Sequence, residues 1–468
     1  MGDEWKVIHV KFVNNLEMNC SGSKNSMKKV SESFPLGSPS TSCGDTVFSW
    51  MLSPVGIPDF VSTYWEKKPL SVNRNLSEYF SGIFSRKSVE NILKTDSDFA
   101  MNSLVMSRAG EVSPGCPSDV ETMGEMLDDG WTVQLIHPQQ KNAKLHALIE
   151  RLENFTGSLW GANFYCTGTG LETCVSQCTS SNVDLFVLQF TGSSHWKVYG
   201  PEIPLSRNFG DSVDPESLGP PLLDETLSAG DMIYIPRGSM YSSSPSASSS
   251  HLCLSTYQEN GWCDLLSTLT STTLTQLTEE SILFREGLPF NWSQLFGVSL
   301  VETESNKMDR ESFIKKLKAH LLNLVESSIS RIDSIADEMA ADFIALRTPP
   351  IKRVGITFFG PDPRLVTGEI RFRNPSWIRL VQEEENELLL FSCLENNVSE
   401  HMKTDNPMDA EPTSIEIDPR ELEGLQTLIT NWPQWTDVAC INRQLAGTLW
   451  EHCVLETRET AKKQRKLD

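Results

Sequence analysis

Between residues 160 and 260 the chain is written in short β-rich runs separated by turn signals, and this stretch decides what it can fold into. DLFVLQF (184–190) is rich in β-branched and aromatic residues, TGSS supplies a turn, and HWKVYGP (195–201) returns, which reads as a hairpin. Gly230-Asp231 marks a turn, MIYI (232–235) a short apolar strand, Pro236-Arg237-Gly238 another turn, and HLCLSTYQ (251–258) a further strand. Many short strands at this spacing call for a β-sandwich or jelly roll. The Ser-rich patch SSSPSASSS (242–250) reads as an insertable surface loop.

The rest of the chain has a different texture. Residues 1–44 read as a flexible leader, because CSGSKNSMKKVSESFPLGSPSTSCG holds too few large apolar side chains to offset the entropy of ordering. Folded structure begins near Phe48, with a helix-like SRKSVENILK following. Beyond Trp262 the period turns helical: Phe313, Leu317, Leu321, Val325, Ile329, Ile332, Ile335 and Met339 recur at three- and four-residue steps until Pro349-Pro350. Such a stripe packs either into the chain's own core or against a second copy, with its own core the simpler reading. After 351 a mixed pattern of strands and a short helix, ELEGLQTLI, describes a small third domain.

Composition excludes several classes. With 40 Lys and Arg against 62 Asp and Glu the net charge is −22, so the bulk surface does not grip nucleic acid through phosphates; any such contact is local. The basic run AKKQRKLD (461–468) reads as a solvated end, with a nuclear address or an RNA contact as the alternatives. No uninterrupted apolar stretch approaches a membrane span, and the amino terminus lacks the cationic start and apolar core of a signal peptide, which predicts an intracellular protein. Lys6 stands where a myristoylation motif needs Ser or Thr. Eleven scattered cysteines show no disulfide framework and predict reduced thiols. There is no Ser/His/Asp or Cys/His unit in recognisable context and no glycine-rich phosphate loop.

TYWEKKPL (63–70), GANFYCT (161–167), DLFVLQFTGSSHWKVYGP (184–201), NFGDSVDPESLGPPLLDETLSAGDMIYIPRG (208–238), STYQENGWCDLL (255–266), FREGLPFNW (284–292), ADFIALRTPP (341–350) and IEIDPRELEGLQTLITNWPQW (415–435) together resemble, in order, the JmjC-domain ribosomal oxygenases. The similarity is to their nucleolar type, which joins lysine-specific demethylation to histidyl hydroxylation, and it runs from about residue 45 to 440. It implies an α+β protein: a double-stranded β-helix (jelly-roll, cupin-type) domain over 45–268 with an N-terminal helical part, a helical dimerisation segment over 269–350, and a winged-helix-like domain over 351–468. It also implies a nuclear or nucleolar homodimer whose partner is a ribosomal protein, a histone or chromatin, with nucleic acid left open and no membrane.

The family chemistry uses Fe(II) held by a His-x-Asp pair and a distal His, with 2-oxoglutarate anchored by a Lys. A two-His, one-carboxylate triad leaves three coordination positions for co-substrate and O2. Carried onto this sequence, the first His falls on Thr179, the carboxylate on Ser181, the distal His on Tyr241 and the Lys on Ser194. Residues 166–183 contain neither His nor Asp. Asn163 and Tyr165 match positions that line the cofactor pocket, and simple structural contact explains them equally well. His195, His251, Cys174 and Cys178 share the domain, but their spacing is weak for zinc. His195 reads as solvent-exposed after the turn, His251 as structural, and the cysteines as part of a variable loop. The expectation is a family scaffold with no bound cofactor, a catalytically silent binding protein; the alternative is an active Fe(II)/2-oxoglutarate dioxygenase relying on ligands not yet placed.

Overall fold

Alternation along the strands sets the architecture seen in the computed structural model, which describes residues 44–108, 111–169, 178–256, 259–301, 303–351, 360–384, 387–403 and 413–459. The leader, apart from Gly44, lies outside these residues, as do Cys174 and the basic tail. Twelve strands build the first domain: β1 (Leu70–Val72), β2 (Leu104–Arg108), β3 (Glu111–Val112), β4 (Thr132–Ile136), β5 (Trp160–Thr167), β6 (Thr179–Ser180), β7 (Leu185–Thr191), β8 (Ser193–Pro201), β9 (Leu223–Ser228), β10 (Met232–Ile235), β11 (Ser239–Pro245) and β12 (Ser250–Thr256). They form an eight-stranded sheet in the order β1-β10-β7-β12-β5-β4-β2-β3, and a four-stranded sheet in the order β6-β11-β8-β9.

Strand β7 has an apolar outer face and a partly apolar inner one. In β7, Phe186, Leu188 and Phe190 pack outward into a large core, whereas Leu185 and Val187 pack inward. The outer core is completed by six helices: α1 (Gly44–Leu52), α2 (Ile57–Thr63), α3 (Arg86–Thr95), α4 (Ser97–Ser103), α5 (Val120–Asp128) and α6 (Ala143–Thr156). Asn142 caps α6 by accepting from Lys144 N and Leu145 N, and left-handed Gly157 (φ 65°) ends it. Ser85 caps the helix expected at SRKSVENILK.

Two strand-level readings need correction. The runs 184–190 and 195–201 are strands but do not form a hairpin: both edges of β7 are taken by β10 and β12, so Gly192 (φ 63°) carries the chain across to the other sheet. A Cβ there would lie 2.8 Å from Ser249 Cα, which reserves the corner for glycine. The Ser-rich patch is a surface loop only over residues 246–249, between β11 and β12. Ser242, Ser243 and Ser244 pair with Lys197, Trp196 and His195 along β11, and Ser249 and Ser250 are buried. Small hydroxyl side chains suit a crowded interior strand whose hydrogen bonds come from the ladder.

The helical segment contains α7 (Trp262–Glu280), α8 (Ile282–Arg285), α9 (Lys307–Ser330) and α10 (Ile332–Leu346), so α7 begins before the expected boundary at 268. Packing into the chain's own core is not the fate of the stripe on α9: Leu317, Leu321, Leu322, Val325 and Ile329 stay 47% to 65% exposed, whereas Ile335 and Ile344 of α10 are buried. The last part holds α11 (Leu422–Asn431) and α12 (Arg443–Glu451) with two three-stranded antiparallel sheets around a separate core that includes Phe372, Trp377 and Leu390. No helix among the described residues is long and apolar enough to cross a membrane.

Candidate functional site

The inner faces of the two sheets pack toward each other. From the large sheet come Asn163 and Tyr165 of β5, Val187 and Gln189 of β7, and His251 and Cys253 of β12. The register places Asn163 opposite Cys253, Tyr165 opposite His251, and His251 opposite Gln189. From the small sheet come Ser194, Trp196 and Val198 of β8 and Tyr241 of β11. Tyr241 and Cys253 pack against the same inner cluster as Trp196 and Val187, which joins the two faces.

The positions matched to the iron ligands are brought together. Thr179 stands directly across from Tyr241 in the β6–β11 ladder, and Ser181 follows at the end of β6. Their chemistry is that of neutral hydroxyls. Ser181 Oγ accepts from Val183 N (3.3 Å) and Thr179 Oγ1 donates to Gly210 O (3.5 Å), while burial pushes the Tyr241 hydroxyl above its ordinary value. Fe(II) is held by imidazole and carboxylate, and neutral hydroxyls are poor substitutes. Among the described residues no three His, Cys, Asp or Glu side chains gather to hold a metal ion. The residues present do not fit the family's iron centre.

The co-substrate anchor is closed off in a different way. Trp196 Nε1 donates to Ser194 Oγ (2.7 Å), Ser194 donates to Gln189 Oε1 (2.5 Å), and the Gln189 amide donates to Ser249 Oγ and Thr191 O, each at 2.9 Å. This chain of bonds fills the position where a Lys would face the far carboxylate of 2-oxoglutarate. It leaves no cation there.

His251 and Asp184 are the titratable groups nearest to replacing what is missing, and neither does. His251 stacks on Tyr165 (centroids 4.9 Å apart) and meets Trp196 edge-on (5.7 Å); burial pulls its pKa down to about 4, so the ring is neutral. Asp184, raised to about 6 chiefly by burial, accepts from Tyr234 Oη (2.5 Å) and Arg237 N (3.4 Å), and Tyr234 belongs to the outer core. His195 lies on the outer face, where Nε2 approaches Asp224 (2.8 Å) and Nδ1 approaches Thr226 (3.0 Å). Cys178 is not in a loop as expected: it is fully buried with Tyr199 and Met240 and bridges to Val213. The sequence reading passed over Gln189 and Cys253, although the alternation in HLCLS already sets Cys253 on the face of His251.

A second hollow of about 620 Å³ lies where α6, α7 and α10 meet Ser376 and Arg379. Among its polar groups, Arg347 donates to Asn154 and to Ser376 O, and Asp264 accepts from Arg207 and Gly261 N. It is a joint between parts of the chain.

Residues 134–263 match the JmjC domain family. Over 440 residues the chain is 29% identical to a bifunctional lysine-specific demethylase and histidyl-hydroxylase NO66 of Aedes aegypti, covering 87% of this chain and 67% of that protein. It is 27% identical over 448 residues to ribosomal oxygenase 1 of Danio rerio, covering 88% and 79%. Among solved structures, YcfD, a ribosomal oxygenase of Escherichia coli in complex with cobalt and 2-oxoglutarate, aligns with a TM-score of 0.45 and 14% identity over 86% of this chain and 99% of that one. The chain thus contains a JmjC domain and is similar over most of its length to ribosomal oxygenases, a family whose known members are Fe(II)/2-oxoglutarate oxygenases.

Proposed function

We propose that this chain is a catalytically silent member of its family, a homodimeric nuclear scaffold that binds a ribosomal or chromatin protein without oxidising it. The observation that carries the reading is the pairing of Thr179 with Tyr241, two hydroxyls in register where the family places two imidazoles. Ser181 and the Trp196–Ser194–Gln189 chain of hydrogen bonds support it, since each independently removes a charged anchor. A charge-assisted hydrogen bond to the co-substrate contributes roughly 1.5 to 3 kcal/mol, so loss of the Lys alone weakens 2-oxoglutarate binding by about tenfold or more.

The exposed apolar face of α9 supports a second copy as its cover, because contiguous apolar patches of this kind mark protein contacts. The net charge of −22 favours a basic partner, as ribosomal proteins and histone tails are. The test is iron stoichiometry and succinate release on purified protein supplied with Fe(II), 2-oxoglutarate and a histidine-bearing ribosomal peptide. The expected result is well under one iron per chain and no succinate above background; tight iron at one per chain with turnover overturns the reading.

A further inference from the structure

The core of the β-helix domain and the core of the last domain are separate clusters, and polar groups close the seam between them. One side of the seam is α6 with His137 and the turn Pro138–Gln140 before it. The other is residues 347–349 together with residues 394–403, which follow the strand Glu387–Ser392.

Residues 394–403 lie across the seam as a strap. Asn396 Nδ2 donates to Ile344 O (2.8 Å) and Arg347 O (3.0 Å), and the Gln140 amide donates to His401 O (2.6 Å). From 395 to 403 the one buried side chain is His401, set between Glu153 Oε1 (2.8 Å) and Gln139 Nε2 (3.3 Å). Met402 beside it is left-handed (φ 63°), a disfavoured state for a side chain of that size. A segment that buries so little apolar surface opens locally, ahead of the domains it joins. The closed seam also leaves polar atoms unmet: His137 Nδ1, Gln139 Oε1 and Gln140 Oε1 are buried with no hydrogen-bond partner among the described residues. Water meets all three once the strap lifts, which lowers the cost of opening.

Protons act in the same direction. His137 is pulled down to about 4 by burial and then by the charges of His401 and Lys403, both on the strap. Lys403 faces Glu400 (3.6 Å) and the field of Asp96, which Lys141 already pairs (2.7 Å). His146, whose Nε2 meets Pro349 O (2.6 Å), is lowered by burial against the pull of Glu150 and Glu153. Burial pushes Glu153 up, but His401, Arg347 and Thr348 hold it below the usual carboxylate range. Each of His137, His146 and Glu153 therefore takes a proton more readily with the seam open. For His137, closure is fully favoured above its ordinary 6.5 and loses ground as pH falls toward 4.

We propose that residues 394–403 are an acid-released strap, closed over α6 at neutral pH and lifted when the groups beneath it take up protons, so that the last domain uncouples from the β-helix. The device is independent of iron and 2-oxoglutarate.

Hydrogen–deuterium exchange of the full chain, read by mass spectrometry and corrected for the intrinsic effect of pH on amide exchange, compares residues 394–403 with β5 and β7 at pH 7 and pH 5. The strap is expected to exchange faster than both strands at either pH. Its opening constant is expected to be about twentyfold larger at pH 5, the ratio produced when His137 moves from about 4 closed to 6.5 open. His137→Asn, which suits the left-handed backbone there (φ 53°) and removes the imidazole, is expected to bring that ratio below about fivefold. His401→Gln is expected to leave the strap unprotected at both pH values while β5 and β7 stay protected. A strap that exchanges only in step with β5 and β7, a ratio in the parent below about threefold, or the parent's ratio retained in His137→Asn overturns the proposal. Should His137→Asn fail to fold, His401→Gln decides: strap protection that persists in it overturns the proposal.

Discussion

His401 Nε2 lies 2.8 Å from Glu153 Oε1, and both side chains are almost wholly shut away from solvent, 1% and 0% exposed. The pair fastens the loop after the strand Glu387–Ser392, within the last domain, to α6. Burial alone would push the Glu153 carboxyl up, but His401, Arg347 and the hydrogen bond from Thr348 outweigh it and hold the group below the usual carboxylate range. His401→Leu leaves that carboxylate stranded, which costs about 3 to 5 kcal/mol. Urea unfolding is the measurement, and a loss below about 1 kcal/mol would show that water or a neighbour replaces the imidazole.

Acid destabilises this fold earlier than its carboxylates alone would suggest. The pKa of His251 lies at about 4, lowered by burial, against 6.5 when unfolded. The unfolded chain therefore binds the extra proton throughout that window, and stability is fully present above 6.5 and falls as pH drops toward 4. At about 1.4 kcal/mol per unit the effect approaches 3 kcal/mol at the acid end. His137, also near 4 through burial and then the charges of His401 and Lys403, acts in the same direction. Melting temperatures of His251→Phe between pH 7 and 4 are expected to vary less than those of the parent; parallel curves would refute the assignment.

Ser194→Lys is expected to restore nothing. The new ammonium would break the Trp196–Ser194–Gln189 chain and enter a buried position without a counter-charge, at a cost of about 2 kcal/mol or more. Titration with 2-oxoglutarate should show no binding. The fourfold change Thr179→His, Ser181→Asp, Ser194→Lys and Tyr241→His supplies every missing anchor, and iron uptake by that variant, read by metal analysis, is the expected outcome.

Leu321→Glu combined with Val325→Glu places two charges on the exposed face of α9. Sedimentation velocity is expected to show a dimer for the parent chain and a monomer for the variant. Because both side chains are half exposed in the single chain, its secondary structure and melting should change little; a parent that sediments as a monomer contradicts the dimer.

The strands within 184–191, 193–201, 232–235 and 250–256 were legible because period-two alternation and turn residues are local signals. What lay beyond local reading was pairing. No property of TGSS says that β7 already has two neighbours, so the corner at Gly192 looked like a hairpin turn. SSSPSASSS misleads for a related reason: serine is read as loop by composition, although its small side chain fits an inner strand when the ladder provides the bonds. Thr179, Ser181, Ser194 and Tyr241 could be matched to the family's anchor positions residue by residue, but that Gln189 and Trp196 bond to Ser194 required coordinates. The Glu153–His401 pair, 248 residues apart, has no sequence signature at all.

The alternation of β7, with Phe186 and Leu188 on one side and Val187 and Gln189 on the other, has a consequence for how such a chain can age. Cohesion and chemistry are borne by opposite sides of the same backbone, so a lineage released from catalysis can rewrite one ledger of residues while selection for a folded body still guards the other. A lost enzyme of this architecture is expected to survive as a well-built vessel, and its kinship to be read from the outside of its strands.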